Sequence, residues 1–366
     1  MVVFKILEAS MKKLVLVSLV LAVSGGSFGV SAAQNRAAVA TPIANEEQQV
    51  EAALSAYDKK DFKTAVRVSA ALANKGSGAA QTLLGMLYSD GEGVAKNYTT
   101  AAGWYRKAAD QGYPQAQFLL GTMYNTGTGV PLDLATAAAW FQKAADQQFA
   151  KAQFALGYMY ANGKGVAVDF VKAGELYRKA ADQDVADAQF GLGLLYNLGN
   201  GVSQDYSSAV AWYQKAADQG FSNAQANLAV LYANGQGVPQ NYKTAAGLFR
   251  KAADQGDARG CYYLGFMYAN GHGVAPDMKE SADWYLKAAN LGDVQAQAKI
   301  ADLYANGQGV EKDAVQAYKW SSLAAAGITE LEARMKALSA IETLAKSMTP
   351  EQIARAKTLV SEWRKK

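Results

Sequence analysis

Gly127-Thr128-Gly129-Val130 is one of seven Gly-x-Gly-Val tetrapeptides, the others starting at Gly91, Gly163, Gly199, Gly235, Gly271 and Gly307. Consecutive copies lie 36 residues apart every time, with no insertion or deletion. A fixed period of that length marks a chain built from one repeated supersecondary unit, whose copies bury their apolar faces on each other.

The copy from Phe221 to Gly256 shows the unit. Before the loop, Ala224, Leu228, Leu231 and Tyr232 fall at i, i+4, i+7 and i+8, one face of a helix. Gly235 and Gly237 stand where the chain must reverse, and glycine there avoids a left-handed penalty of about 1–2 kcal/mol. After the loop comes a short side chain that suits an N-cap in every copy: Asn97, Asp133, Asp169, Asp205, Asn241, Asp277 and Asp313. Ala245, Leu248, Phe249 and Ala252 form a second apolar face, and Gly256 is placed as a helix C-cap. Each unit therefore reads as a pair of antiparallel helices.

Ala188, Leu192, Gly193, Tyr196, Gly199, Gly201, Val202, Asp205, Ala209, Trp212, Tyr213 and Lys215-Ala216-Ala217 carry a wider pattern. It resembles the Sel1-like repeat, a relative of the tetratricopeptide repeat, and covers residues 77–327. The expected fold is all-α, a right-handed α-solenoid of 36-residue antiparallel helix pairs with a concave groove. Helices of about 12–15 residues are marginal alone in water, so each must bury its face on the next. The resemblance implies roles in envelope assembly, export, signalling or host interaction without choosing among them.

At the front, Lys12-Lys13 precede an apolar run from Leu14 to Val23 and small residues up to Ala32-Ala33. This describes a secretory signal peptide over residues 1–32, with Met11 the natural start and an apolar core too short to span a bilayer. The expected product is exported and periplasmic, without stable membrane insertion. Residues 33–45, small and polar with Pro42, read as a linker, and 46–76 as a degenerate capping pair built on Leu54, Tyr57, Phe62, Ala65, Val66 and Leu72. Seven repeats follow over 77–327, and 328–366 read as closing helices, with Thr349 and Pro350 opening the last. The closing helices match those of many Sel1-like proteins, and the chain is expected to be complete.

The chain carries a net charge of +4, and removal of residues 1–32 takes away three lysines and Glu8, leaving +2. The repeat-period lysines at 107, 143, 179, 215, 251 and 287 read as a solvated face, so no nucleic acid is expected as partner. The loop glycines lack the strand and the Lys-Ser/Thr of a phosphate site. His272 is the sole histidine, at a loop position that varies freely between copies, and reads as exposed and unconstrained. Cys261 is the sole cysteine, replacing a glutamine found at 81, 117, 153, 189, 225 and 297, and reads as a small buried hydrophobe. Cysteine-rich Sel1-like proteins, some of which resemble penicillin-binding β-lactamases, pair a cysteine in each helix of the unit; this chain lacks those pairs, so a β-lactamase-like cell-wall enzyme stands only as a lesser alternative to a scaffold. No catalytic, metal or cofactor residue is expected.

One pattern points to binding. Repeat positions 6 and 10 lie opposite the core stripe of the first helix, where polar groups are usual, yet position 6 carries Phe118, Phe154, Phe190 and Tyr262, and position 10 Met86, Tyr158, Leu194, Val230 and Phe266. Such a ladder on the inner surface would take a protein partner's helix or extended peptide, with a glycan as the alternative ligand. Packing of the rings between neighbouring helices is the structural alternative. The sequence thus points to a non-catalytic scaffold for protein–protein interaction.

Overall fold

The computed structural model describes residues 36–364, which form eighteen helices in two compact units, one ending at Val185 and one starting at Ala186. The proposed signal peptide lies outside the described residues. Among those described, no helix is long and apolar enough to cross a membrane.

The first unit contains α1 Arg36–Asp58, α2 Phe62–Asn74, α3 Gly78–Asp90, α4 Tyr98–Asp110, α5 Pro114–Thr126, α6 Leu134–Asp146, α7 Ala150–Asn162 and α8 Phe170–Ala181. Helix α1 starts at Arg36, inside the stretch expected to be a linker. Ala37, Ala38 and Ala40 are strong helix formers, which the reading of this stretch from Pro42 overlooked. Leu54, Tyr57, Ala65 and Leu72 are buried between α1 and its neighbours, with Phe62 and Val66 packed beside them.

The second unit contains α9 Ala186–Leu198, α10 Tyr206–Asp218, α11 Ser222–Asn234, α12 Tyr242–Asp254, α13 Ala258–Asn270, α14 Met278–Asn290, α15 Val294–Asn306, α16 Ala314–Gly327, α17 Leu331–Ala345 and α18 Pro350–Arg364. Both α17 and α18 pack on α16, where Trp320 is buried and meets the Trp363 ring edge-on at 6.4 Å.

Local chemistry sets these boundaries. Every predicted Asn or Asp cap accepts a backbone N–H two or three residues on, as Asn241 does from Thr244 at 3.0 Å. The two loop glycines serve different ends. Gly235, at φ 68°, closes α11 by donating its N–H to the Leu231 carbonyl. Gly237, at φ 71°, lies against the first turn of the preceding repeat's second helix, where a Cβ would come within 2.4 Å of the Tyr206 carbonyl carbon. The second helix ends one residue earlier than expected: Gln255 is its C-cap, and Gly256 follows with φ 81°. Gln148 and Asp184 hold the same left-handed conformation without being glycine.

A buried glutamine relay ties successive repeats together. Gln117 Nε2 donates to the Ala109 carbonyl of the preceding repeat at 3.2 Å, and its Oε1 accepts from Gln147 at 2.9 Å. The pairs Gln81/Gln111, Gln153/Gln183 and Gln225/Gln255 repeat the arrangement. In one repeat both members change: Cys261 stands for the first glutamine and Leu291 for the second. Cys261 is buried with its Sγ 3.8 Å from the Ala253 carbonyl, and burial pushes its thiol up to about 11.

The repeat-period lysines are exposed, but their stems are not idle. Lys107, Lys143, Lys215 and Lys287 sit 3.7–4.0 Å over the rings of Trp104, Trp140, Trp212 and Trp284. A cation over an indole face adds to the helix surface what a merely solvated lysine does not.

Candidate partner-binding groove

The structure separates the two halves of the expected aromatic ladder. Phe118 is 2% exposed and Phe154 is 7% exposed. Phe190 and Tyr262 are half-buried. Each of these rings meets the aromatic residue 23 positions later on the second helix of its own repeat: Phe118 on Phe141, Phe154 on Tyr177, Phe190 on Tyr213 and Tyr262 on Tyr285, at 5.5–5.8 Å. Phe118 and Phe190 also touch Phe149 and Phe221 at the start of the next repeat. Phe118 and Phe154 are therefore core residues, and the expectation that they line a groove is corrected; Phe190 and Tyr262 rest on the same kind of second-helix ring while keeping part of their surface exposed.

The cause is the sandwiched place of the first helix. Within each unit it packs on the second helix of its own repeat and on that of the preceding repeat, so it needs two apolar stripes. In α3 every residue from Gly78 to Leu87 is buried. A single core stripe at 100° per residue misassigns the other one to solvent.

Position 10 reaches the surface in later repeats, although Met86 is buried. Tyr158 is half-buried with Lys164 over its ring at 4.9 Å, Leu194 is half-buried, and Phe266 is 39% exposed. Leu194 and Phe266 line two cavities of the second unit, of about 370 Å³ and 310 Å³, which adjoin at Val230 and Tyr263.

These cavities open where the repeat departs from its own pattern. Position 6 of the repeat starting at Phe221 is Ala226, which lines the larger cavity in place of a ring. With no ring from its own first helix to meet, Phe249 stacks instead on Tyr263 of the next repeat, at 4.9 Å and 18°. Tyr263 itself is 36% exposed.

The two cavities differ in chemistry. The smaller is walled by Tyr242, Phe249, Tyr263, Phe266 and His272. His272 is not unconstrained, as its variable position suggested: it stacks on Tyr242 at 4.6 Å and 15° and meets the Phe266 edge at 5.8 Å. The larger carries amides and a cation: Asn197, Asn227, Gln236 and Arg259. Arg259 donates to the side-chain oxygens of Asn227 at 3.1 Å and Asn223 at 3.2 Å, and Asn227 donates in turn to the Tyr213 hydroxyl at 3.2 Å. Burial pushes the Tyr213 hydroxyl up to about 12, so it stays a neutral partner at physiological pH. Sequence reasoning missed Asn227, Arg259 and Tyr263. Asn227 and Tyr263 share repeat position 7 and Arg259 stands at position 3, places that change from copy to copy, so a pattern built on recurrence does not mark them.

Comparison with known proteins agrees with this architecture. The Sel1 repeat model matches seven consecutive segments, 78–113, 114–149, 150–185, 186–221, 222–257, 258–293 and 294–327. No curated protein matches significantly. Among solved structures, a Sel1 repeat protein from Oxalobacter formigenes is 34% identical, with TM-score 0.61 over 66% of this chain and 96% of its own. The protective antigen c5321 of uropathogenic Escherichia coli, described as having an SLR fold, is 29% identical, with TM-score 0.56 over 88% of this chain and 76% of its own. With seven repeats matched in unbroken succession over most of its length, the chain belongs to the Sel1 repeat family.

Proposed function

We propose that this protein is an exported, non-catalytic scaffold that takes a protein partner into the groove of its second unit. The observation that carries the reading is the pair of adjoining cavities at Val230 and Tyr263, which places exposed aromatic rings beside amide side chains and one arginine. Exposed aromatic anchors next to hydrogen-bonding groups are what protein-binding surfaces use. The basic, then apolar, then small-residue order of residues 1–32 supports export to the periplasm. The similarity to a protective antigen agrees with a role at the cell envelope or in host interaction.

The test is crosslinking in living cells with a photoreactive phenylalanine analogue at Tyr263 and at Phe266. Leu132, 63% exposed and in the first unit, serves as the surface control. A discrete protein adduct at the groove positions and none at Leu132 is the expected result. Soluble protein without a groove adduct overturns the reading, and a glycan ligand would then take its place.

A further inference from the structure

We infer that the occupant of this groove is an extended peptide that sets a carboxylate against Arg259 and an apolar side chain in the aromatic cavity. The inference rests on the groove reading above and adds the chemistry of the ligand.

Arg259 is exposed, and its two hydrogen bonds go to the amide oxygens of Asn223 and Asn227. Those oxygens are neutral, so they hold the guanidinium in place without themselves offsetting its charge. The acid nearest in sequence, Asp257, is committed elsewhere: its Oδ1 accepts the Gly260 N–H at 2.7 Å as the cap of α13. Asn227 is itself held, because its NH2 donates to the Tyr213 hydroxyl while its oxygen faces Arg259. A guanidinium has five donors in a planar fork, and those left over match a carboxylate in bidentate fashion. Pre-positioning by neutral acceptors keeps both the charge and the geometry ready for an anion.

The neighbouring cavity fixes the second feature. It adjoins the Arg259 cavity through Tyr263, and at about 310 Å³ it has room for one large apolar side chain. Tyr263 is backed by Phe249 and Phe266 is braced by His272, so the rings are held before anything binds. Walls on several sides suit an inserted side chain, whereas a sugar ring stacks on an open face. The amides of Asn197, Asn234 and Gln236 line the same two cavities and supply the donors and acceptors that an extended backbone needs.

The experiment selects random dodecapeptides displayed on phage against the full chain, then titrates the resynthesised peptides against wild type, Arg259→Gln and Phe266→Ala. Circular dichroism checks that both variants keep their helices. Selected peptides should carry Asp or Glu within a few residues of a large apolar side chain. Arg259→Gln should weaken them about tenfold or more, as loss of a charge-assisted pair does. Replacing the peptide's acid by its amide should cost the same factor in wild type and nothing further in the variant. Peptides that need Phe266 but ignore Arg259→Gln overturn the carboxylate assignment and leave the groove intact. Peptides indifferent to both variants, or no enriched peptide at all, overturn the groove reading as well. Competition by an oligogalacturonate that depends on Arg259, with no peptide doing the same, overturns the peptide assignment in favour of an acidic glycan.

Discussion

The same methyl group, added at two glycines of one repeat, separates backbone strain from inter-repeat packing. Gly256 and Gly237 both have positive φ, 81° and 71°. A Cβ on Gly256 meets nothing within 4 Å, while one on Gly237 would lie 2.4 Å from the Tyr206 carbonyl carbon and 2.6 Å from the Ser207 nitrogen. Gly256→Ala therefore costs only the left-handed penalty of about 1–2 kcal/mol, less about 0.4–1 kcal/mol returned by a stiffer unfolded chain, or about 1 kcal/mol net. Gly237→Ala adds the displacement of a neighbouring repeat's backbone, about 1–3 kcal/mol more, for about 2–4 kcal/mol in all. The reverse change should help: Gln148 and Asp184 hold φ 62° and 60° with exposed side chains. Gln148→Gly and Asp184→Gly should each stabilise by about 0.5–1 kcal/mol and add, being far apart. Urea titration followed by helical ellipticity, fitted with a nearest-neighbour scheme suited to repeat arrays, measures all four. If Gly237→Ala is as mild as Gly256→Ala, the loop-on-helix crossing does not hold the repeats together and the reasoning fails.

Two further outcomes follow from the polar networks. Gln225→Ala should destabilise by about 1–3 kcal/mol, since it removes a buried donor–acceptor pair at Ala217 and Gln255. Cys261→Gln alone should also destabilise, and Leu291→Gln in the same chain should recover part of the loss; a double-mutant cycle with no coupling would refute the relay. The side-chain hydrogen bond from Thr136 holds the Asp133 carboxyl below the usual carboxylate range, and that from Ser208 does the same for Asp205. A depressed folded pKa gives stability that is present above the unfolded value and lost as pH falls through the folded one. Thermal midpoints should therefore fall from about pH 5 downward, and Asp205→Asn, which keeps an amide acceptor as Asn97 and Asn241 do, should flatten that cap's share. An unchanged profile in Asp205→Asn would show that this cap adds nothing to acid sensitivity.

Parts of the molecule were legible because they are local. A left-handed glycine, an Asx cap and a 36-residue period each follow from the chain's own neighbours, and the structure places them as expected, apart from a one-residue shift at Gly256. The groove was not local. Phe154 and Phe266 look alike in a helical projection, yet one lies on Tyr177 and the other opens on a cavity. The difference depends on what the adjacent helices present to each ring, which a single helix's periodicity does not contain.

The sequence by itself determined that this is an all-helical Sel1 repeat protein, because a repeated unit of caps, turns and apolar faces admits one local structure. Only the tertiary structure decided which of its aromatic residues are core and which are free to bind. A first helix in this fold is packed on two sides, so burial is set by the neighbouring repeats. Where position 6 carries Ala226 in place of a ring, the packing leaves space, and that space, with Arg259 held at its edge, is the candidate site.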